Sequence, residues 1–111
     1  MPRDYKVYLE DILTAIGKIE RYTKGLSLET FSRDEKTVDA VVRNLEVVGE
    51  AVKKLPSEIR SKHSHVEWKK MAGLRDILIH EYFGIDETIL WDIIENKLPP
   101  LSRQIKKIRL E

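Results

Sequence analysis

Apolar residues recur along this chain at helical spacing almost from end to end. Tyr5, Tyr8, Leu9, Ile12, Ile16 and Ile19 follow an i, i+3, i+4, i+7 rhythm and predict a first helix over about residues 4–24, with Gly25 as its stop. Ser32 and Glu35 have the spacing of a capping box ahead of Val38, Val41, Val42, Leu45, Val48, Val52 and Leu55, which predicts a long helix over roughly 32–55. Gly49 and Ala51 reduce the bulk of that seam and should let another helix approach closely. Pro56 suits the start of a helical turn over PSEIRSK, because its missing N–H costs nothing in a first turn. After a loop at 63–66, a further helix runs from about Glu67 through Trp68, Met71, Leu74, Leu78 and Tyr82, closed by Gly84. Asp86 can cap a helix carrying Ile89, Leu90, Ile93, Ile94 and Leu98, which Pro99 and Pro100 should end. A basic amphipathic segment with Leu101, Ile105 and Ile108 follows.

No segment alternates as a strand does. Four main helices with short connections predict an all-α, antiparallel four-helix-type bundle with short extra helices. With no repeat, low-complexity tract or long linker, residues 1–111 are expected to form a single domain.

Composition removes several classes of function. There is no cysteine, so disulfides and thiolate metal sites are excluded. No apolar run approaches the roughly 20 residues that span a bilayer, and charges interrupt the first residues, so a cytoplasmic protein with no membrane partner is expected. The net charge of +1 does not by itself argue for nucleic acid. Its distribution does more. Lys97, Arg103, Lys106, Lys107 and Arg109 crowd the last segment with no acidic residue between them, and Arg60, Lys62, Lys69 and Lys70 form a second cluster. Lys69, Lys70, Arg103, Lys106 and Lys107 are therefore candidate phosphate contacts, set against the plainer reading of solvated helix faces.

One segment concentrates chemistry. RDILIHEY, residues 75–82, places a guanidinium, an imidazole and a phenol on an otherwise apolar helix. Arg75 and His80 are separated by roughly 7.5 Å of rise and about 140° of rotation, so they share no ridge. A long arginine side chain can still bring both to the rim of one cleft, especially one completed by a second subunit. Asp76 precedes His80 by four residues and can orient its ring. The carboxylate and the nearby helix C-terminus should both favour the imidazolium. Glu50, beside Gly49, is expected to be costly unless paired, and Arg75 is its expected partner in a supporting role. His63, His65 and Glu67 form an H-x-H-x-E run, too few ligands for a metal site, so no metal is assigned. Trp68 and Trp91 are expected as core or interface anchors. The five glycines are isolated, so no phosphate-binding loop and no cofactor is implied.

Arg75-Asp-Ile-Leu-Ile-His80-Glu-Tyr82 resembles the R-x4-H-x-Y motif of HepT-type toxins, a branch of the HEPN superfamily. The likeness extends to Arg43-Asn-Leu and Gly49-Glu50-Ala51, to Leu55-Pro-Ser-Glu-Ile-Arg60, to Trp68-Lys-Lys-Met-Ala-Gly-Leu-Arg75, and to Trp91-Asp-Ile-Ile followed by Leu98-Pro. The resemblance implies a HEPN-like helical bundle, a homodimer with two motifs facing a shared cleft, and a metal-independent endoribonuclease. Arg75 and His80 would be its catalytic residues. It also implies a partner, a minimal nucleotidyltransferase antitoxin of the MntA type, which transfers AMP to the motif tyrosine, here Tyr82. A different reading of the same residues is a non-catalytic module that binds nucleotide phosphates and presents a helical surface to such a nucleotidyltransferase. The nucleotidyltransferase pattern itself is absent from this chain, which should receive AMP and not transfer it.

Overall fold

The structure, a computed structural model, describes residues 4–81 and 86–111, the side chains of residues 79–81 excepted. Its elements are α1 (Tyr5–Thr23), α2 (Leu28–Arg33), α3 (Glu35–Lys54), α4 (Ser57–Lys62), α5 (Trp68–Glu81), α6 (Glu87–Asp92) and α7 (Leu98–Arg109), with one π-helical turn at Ile93–Lys97 joining the last two. No strand occurs among the described residues, and the expected all-α bundle is what forms. Helix α1 packs on α3 and α7, and α3 packs on α5.

The core is the set of apolar positions that the periodicity selects. Leu9, Ile12, Ile16 and Ile19 of α1 are buried against Val38, Val41, Leu45, Val48 and Val52 of α3, and Leu98, Leu101, Ile105 and Ile108 of α7 join them. Gly25 ends α1 with φ +80°, a conformation that costs a residue with a Cβ but not glycine.

The start of the second long helix differs from expectation. Ser32 does not cap it. Residues 28–33 form the separate helix α2, opened by a capping box in which Ser27 Oγ accepts from Thr30 N at 3.2 Å and Thr30 Oγ1 accepts from Ser27 N at 2.8 Å. This short helix buries Phe31 completely, its ring 5.2 Å from that of Trp91. Asp34 then caps α3, accepting from Thr37 N at 3.2 Å and from Thr37 Oγ1 at 2.7 Å. Those two hydrogen bonds hold the Asp34 carboxyl below its ordinary value. A carboxylate that takes two donors outcompetes the Ser32 hydroxyl for the role.

A second difference lies at the proline pair. Pro99 and Pro100 do not stop a helix; they occupy the first turn of α7, where missing N–H groups cost little. The turn before them widens to π geometry, with Leu98 N bonded to Ile93 O. The wider turn relieves the clash between a proline ring and the carbonyl four residues back. Asp86 caps α6 as expected, accepting from Thr88 N at 2.8 Å. Ile89, however, is exposed, while Leu90, Ile93 and Ile94 are buried. The expected run to Tyr82 and the stop at Gly84 lie outside the described residues.

Gly49 is where α3 and α5 meet. A Cβ built there would lie 2.9 Å from both Cβ and N of Arg75 and 3.1 Å from Met71 O. Gly17, by contrast, faces open space. Replacing Gly49 with alanine should therefore lower stability by about 1–2 kcal/mol, overpacking outweighing the gain in helix propensity. Gly17→Ala should raise stability by roughly 0.5–1 kcal/mol. Urea unfolding of the two variants beside the parent checks both signs.

Candidate functional site

The site is assembled from one face of α3 and the second half of α5. Gly49 seats the backbone and Cβ of Arg75, so the root of the motif arginine is fixed by steric contact. Beyond that root the side chain emerges at 39 % exposure, with Nη1 3.7 Å from Asp76 Oδ1. One turn after Gly49, Lys53 reaches across and donates to both oxygens of Asp76, at 2.9 and 3.0 Å. Asp76 thus lies between two cations, and the three groups together leave one net positive charge at the surface.

Such an arrangement suits an anion. The guanidinium carries donors in a fixed fork, remains charged at every physiological pH, and among the described residues is not locked into a bidentate pair with a carboxylate. An arriving phosphate would meet a cation whose base is already positioned.

The structure brings Arg75 and Asp76 together and adds Lys53, which the sequence reading missed. The available signal was its position: a lysine one turn after the small residue at a helix crossing lies where it can reach the partner helix. Glu50 is not where it was expected. It is about half exposed and pairs with Lys54 on its own helix at 3.2 Å, not with Arg75. Its neighbours Gly49 and Ala51 face inward, but one step along a helix turns a side chain by about 100°, which carries Glu50 to the rim. His80 belongs to α5 by its backbone, but its side chain, and all of Tyr82, lie outside the described residues, as does the hydrogen bond expected between Asp76 and His80.

The basic residues divide into two groups. Lys69 and Lys70 open α5 and share a groove with Arg60. Lys70 donates to Glu67 at 2.8 Å, an interaction that lowers the Glu67 carboxyl and raises the Lys70 ammonium from their ordinary values. Arg103, Lys106 and Lys107 are exposed on α7, outside the lining of that groove.

The H-x-H-x-E run does not gather. His63 is buried, its Nε2 3.1 Å from Glu111 Oε1 and its carbonyl accepting from Trp68 Nε1 at 2.9 Å, while His65 is exposed. Among the described residues no three such side chains come together as metal ligands. Trp68 is a core residue. Among the described residues no helix is long and apolar enough to cross a membrane.

Comparison with known proteins supplies a family. The family profile described as "Ribonuclease HepT-like" matches residues 12–108. A protein of Caldanaerobacter subterraneus named "putative RNase" is 50 % identical over 101 residues, covering 91 % of this chain and 90 % of that protein. A "probable ribonuclease HepT" of Thermococcus cleftensis is 43 % identical over 109 residues, 98 % of this chain and 99 % of its own. A Methanocaldococcus jannaschii protein named "gamma-glutamylcyclotransferase and putative RNase" is 43 % identical over all 111 residues, and the chain spans 50 % of its length. No solved structure gave a significant match.

The Lys53–Asp76 pair joins two half-exposed groups, so it should orient Asp76 more than it stabilises the fold. A double-mutant cycle of Lys53→Ala and Asp76→Ala, read by urea unfolding, should give a coupling of about 0.2–1 kcal/mol.

Proposed function

Because this chain belongs to the HepT-like ribonuclease family, we propose that it is a metal-independent endoribonuclease, the toxin of a toxin–antitoxin pair. The observation that carries the reading is the state of Arg75: its root is clamped on Gly49 while its guanidinium stands 39 % exposed beside Asp76.

Cleavage of RNA without metal needs a base for the 2′-OH, stabilisation of the phosphorane and an acid for the departing oxygen. In the proposed mechanism the 2′-oxygen attacks phosphorus as its proton passes to His80. Arg75 holds the nonbridging oxygens, whose charge grows in the transition state. The P–O5′ bond breaks as a proton is delivered to O5′, leaving a 2′,3′-cyclic phosphate and a 5′-hydroxyl. One chain supplies one motif histidine, so the second proton transfer falls to His80 of another copy, which makes the working unit a homodimer. Ile77, exposed between Asp76 and the buried Leu78, gives α5 an apolar contact beside the motif that fits such a pairing. Asp76 orients His80, with Lys53 fixing its carboxylate from behind.

Control is by chemistry at Tyr82. A minimal nucleotidyltransferase antitoxin transfers AMP from ATP to the phenol oxygen, with pyrophosphate leaving. The adduct puts bulk and a negative phosphate two residues from His80, where Arg75 can pair with it in place of the RNA phosphate.

The purified chain should cleave RNA in the presence of EDTA and leave cyclic phosphate ends. Arg75→Ala should lower the rate by about 10²–10³, the usual loss when one oxyanion donor is removed, and His80→Ala should abolish cleavage. Cutting at a position whose 2′-OH has been removed would exclude the mechanism. Absence of cleavage by the folded, unmodified protein on several RNAs would favour the nucleotide-binding module.

Tyr82→Phe should keep cleaving RNA yet accept no AMP when incubated with the antitoxin and labelled ATP. Labelling of that variant at another residue, with loss of activity, would remove Tyr82 from the regulatory role.

A further inference from the structure

Between α4 and the start of α5 lies an open groove of about 800 Å³, within the roughly 300–1,000 Å³ of ordinary ligand sites. It is lined by Arg60, Ser61, Ser64, Lys69 and Lys70, with Glu67 its one carboxylate. Lys70 is paired with that carboxylate. Lys69 is exposed and forms no ion pair among the described residues, and Arg60, half-buried and likewise without an ion pair among them, brings a second cation to the same groove. Two like charges on the wall of one groove repel each other until an anion lies between them. The placement of Lys69 is costly too: it stands in the first turn of α5, which holds no acidic residue, where the helix dipole disfavours a cation. Both effects are relieved by the same ligand, an anion.

We infer that this groove is a phosphate subsite that holds the RNA strand upstream of the motif, with Arg60 and Lys69 as its binding residues. The identity of the anion rests on the ribonuclease reading; the preference for an anion does not. Lys69 and Lys70 precede Arg75 by five or six residues, roughly 7.5–9 Å of helix rise. The rise alone covers about two or three nucleotides at ~3.4 Å each, and the rotation of about 140° from Lys70 to Arg75, or about 240° from Lys69, means that the strand must also wrap around the helix to reach both. The Ser61 and Ser64 hydroxyls can donate to further phosphate or ribose oxygens. Trp68 also lines the groove, but its Nε1–H is committed to the His63 carbonyl, so it is a wall and not a movable stacking platform. The groove reads backbone, and sequence preference must come from elsewhere.

The test uses the full chain carrying His80→Ala, so that binding is measured without turnover. The probe is a short fluorescein-labelled single-stranded oligoribonucleotide, followed by anisotropy over a range of salt. Adding Arg60→Gln or Lys69→Ala should each weaken binding about fivefold at ~0.1 M salt and lower the salt slope by about 0.7, as loss of one phosphate contact to a single strand requires. Lys18→Ala, an exposed lysine of α1, removes the same charge and should change neither. Thermal melts report whether Arg60→Gln still folds, and Lys69→Ala, being exposed, keeps the test open if it does not. Unchanged affinity and slope in Lys69→Ala, or no RNA binding by the His80→Ala parent, would overturn the subsite. Titration with AMP and with inorganic phosphate separates the sources. Saturable AMP binding lost in both variants, with RNA binding intact, would overturn the RNA assignment in favour of a mononucleotide. Because no arm needs cleavage, a chain that binds through this groove but does not cut would refute the nuclease reading alone.

Discussion

The contact between α3 and α5 at Gly49 is the constraint on which the candidate site depends. Two helices can bring their backbones this close only where one of them lacks a Cβ, and here the atoms occupying that space belong to Arg75 and Met71. Everything else about the site follows from that approach. It puts the motif arginine at a fixed height along α5, and it brings Lys53, one turn further along α3, within reach of Asp76. The hydrophobic seam of α3 supplies the force that presses the helices together, and the glycine sets the distance at which they stop.

Charge is distributed by the same geometry. The pair formed by Lys53 and Asp76 sits on the rim and is worth little as stability. Its effect is positional, since a carboxylate gripped at both oxygens has fewer orientations than one on a free rotamer. Lys69 in the first turn of α5 works against that helix, whereas the capping aspartates of α3 and α6 work with theirs. The chain therefore spends electrostatic stability at one end of α5 while conserving it at other helix starts.

Much of this was legible in the sequence. The periodicity of α1 and α3 selected the buried residues, Gly25 and Asp86 marked real boundaries, and Gly49 was read as a point of close helix approach. Arg75 and Asp76, singled out by the motif, lie together where α5 crosses α3. What escaped were competitions between equally local signals. Ser32 with Glu35 has capping-box spacing, but Asp34 lies between them, and only the burial of Phe31 by a separate short helix decides the matter. The proline pair reads as a stop unless a wider turn precedes it. Glu50 was assigned inward because its neighbours are, although one residue of helix rotation carries it to the rim. Lys53 carries only the weak signal of standing one turn after Gly49; its role exists only across the gap between two helices.

Arg75 combines a fixed base with a free end. Its Cβ and backbone are wedged against α3, while among the described residues the outer torsions that carry the guanidinium are held by one long contact to Asp76. Immobilising that end costs part of an arginine's roughly 2 kcal/mol of rotamer entropy and asks nothing of the backbone. The positive charge can therefore sweep a short arc at constant fold energy, like a needle on a pivot. Two phosphates that arrive at different times, from different molecules, can each be met by the same side chain without any helix having to shift.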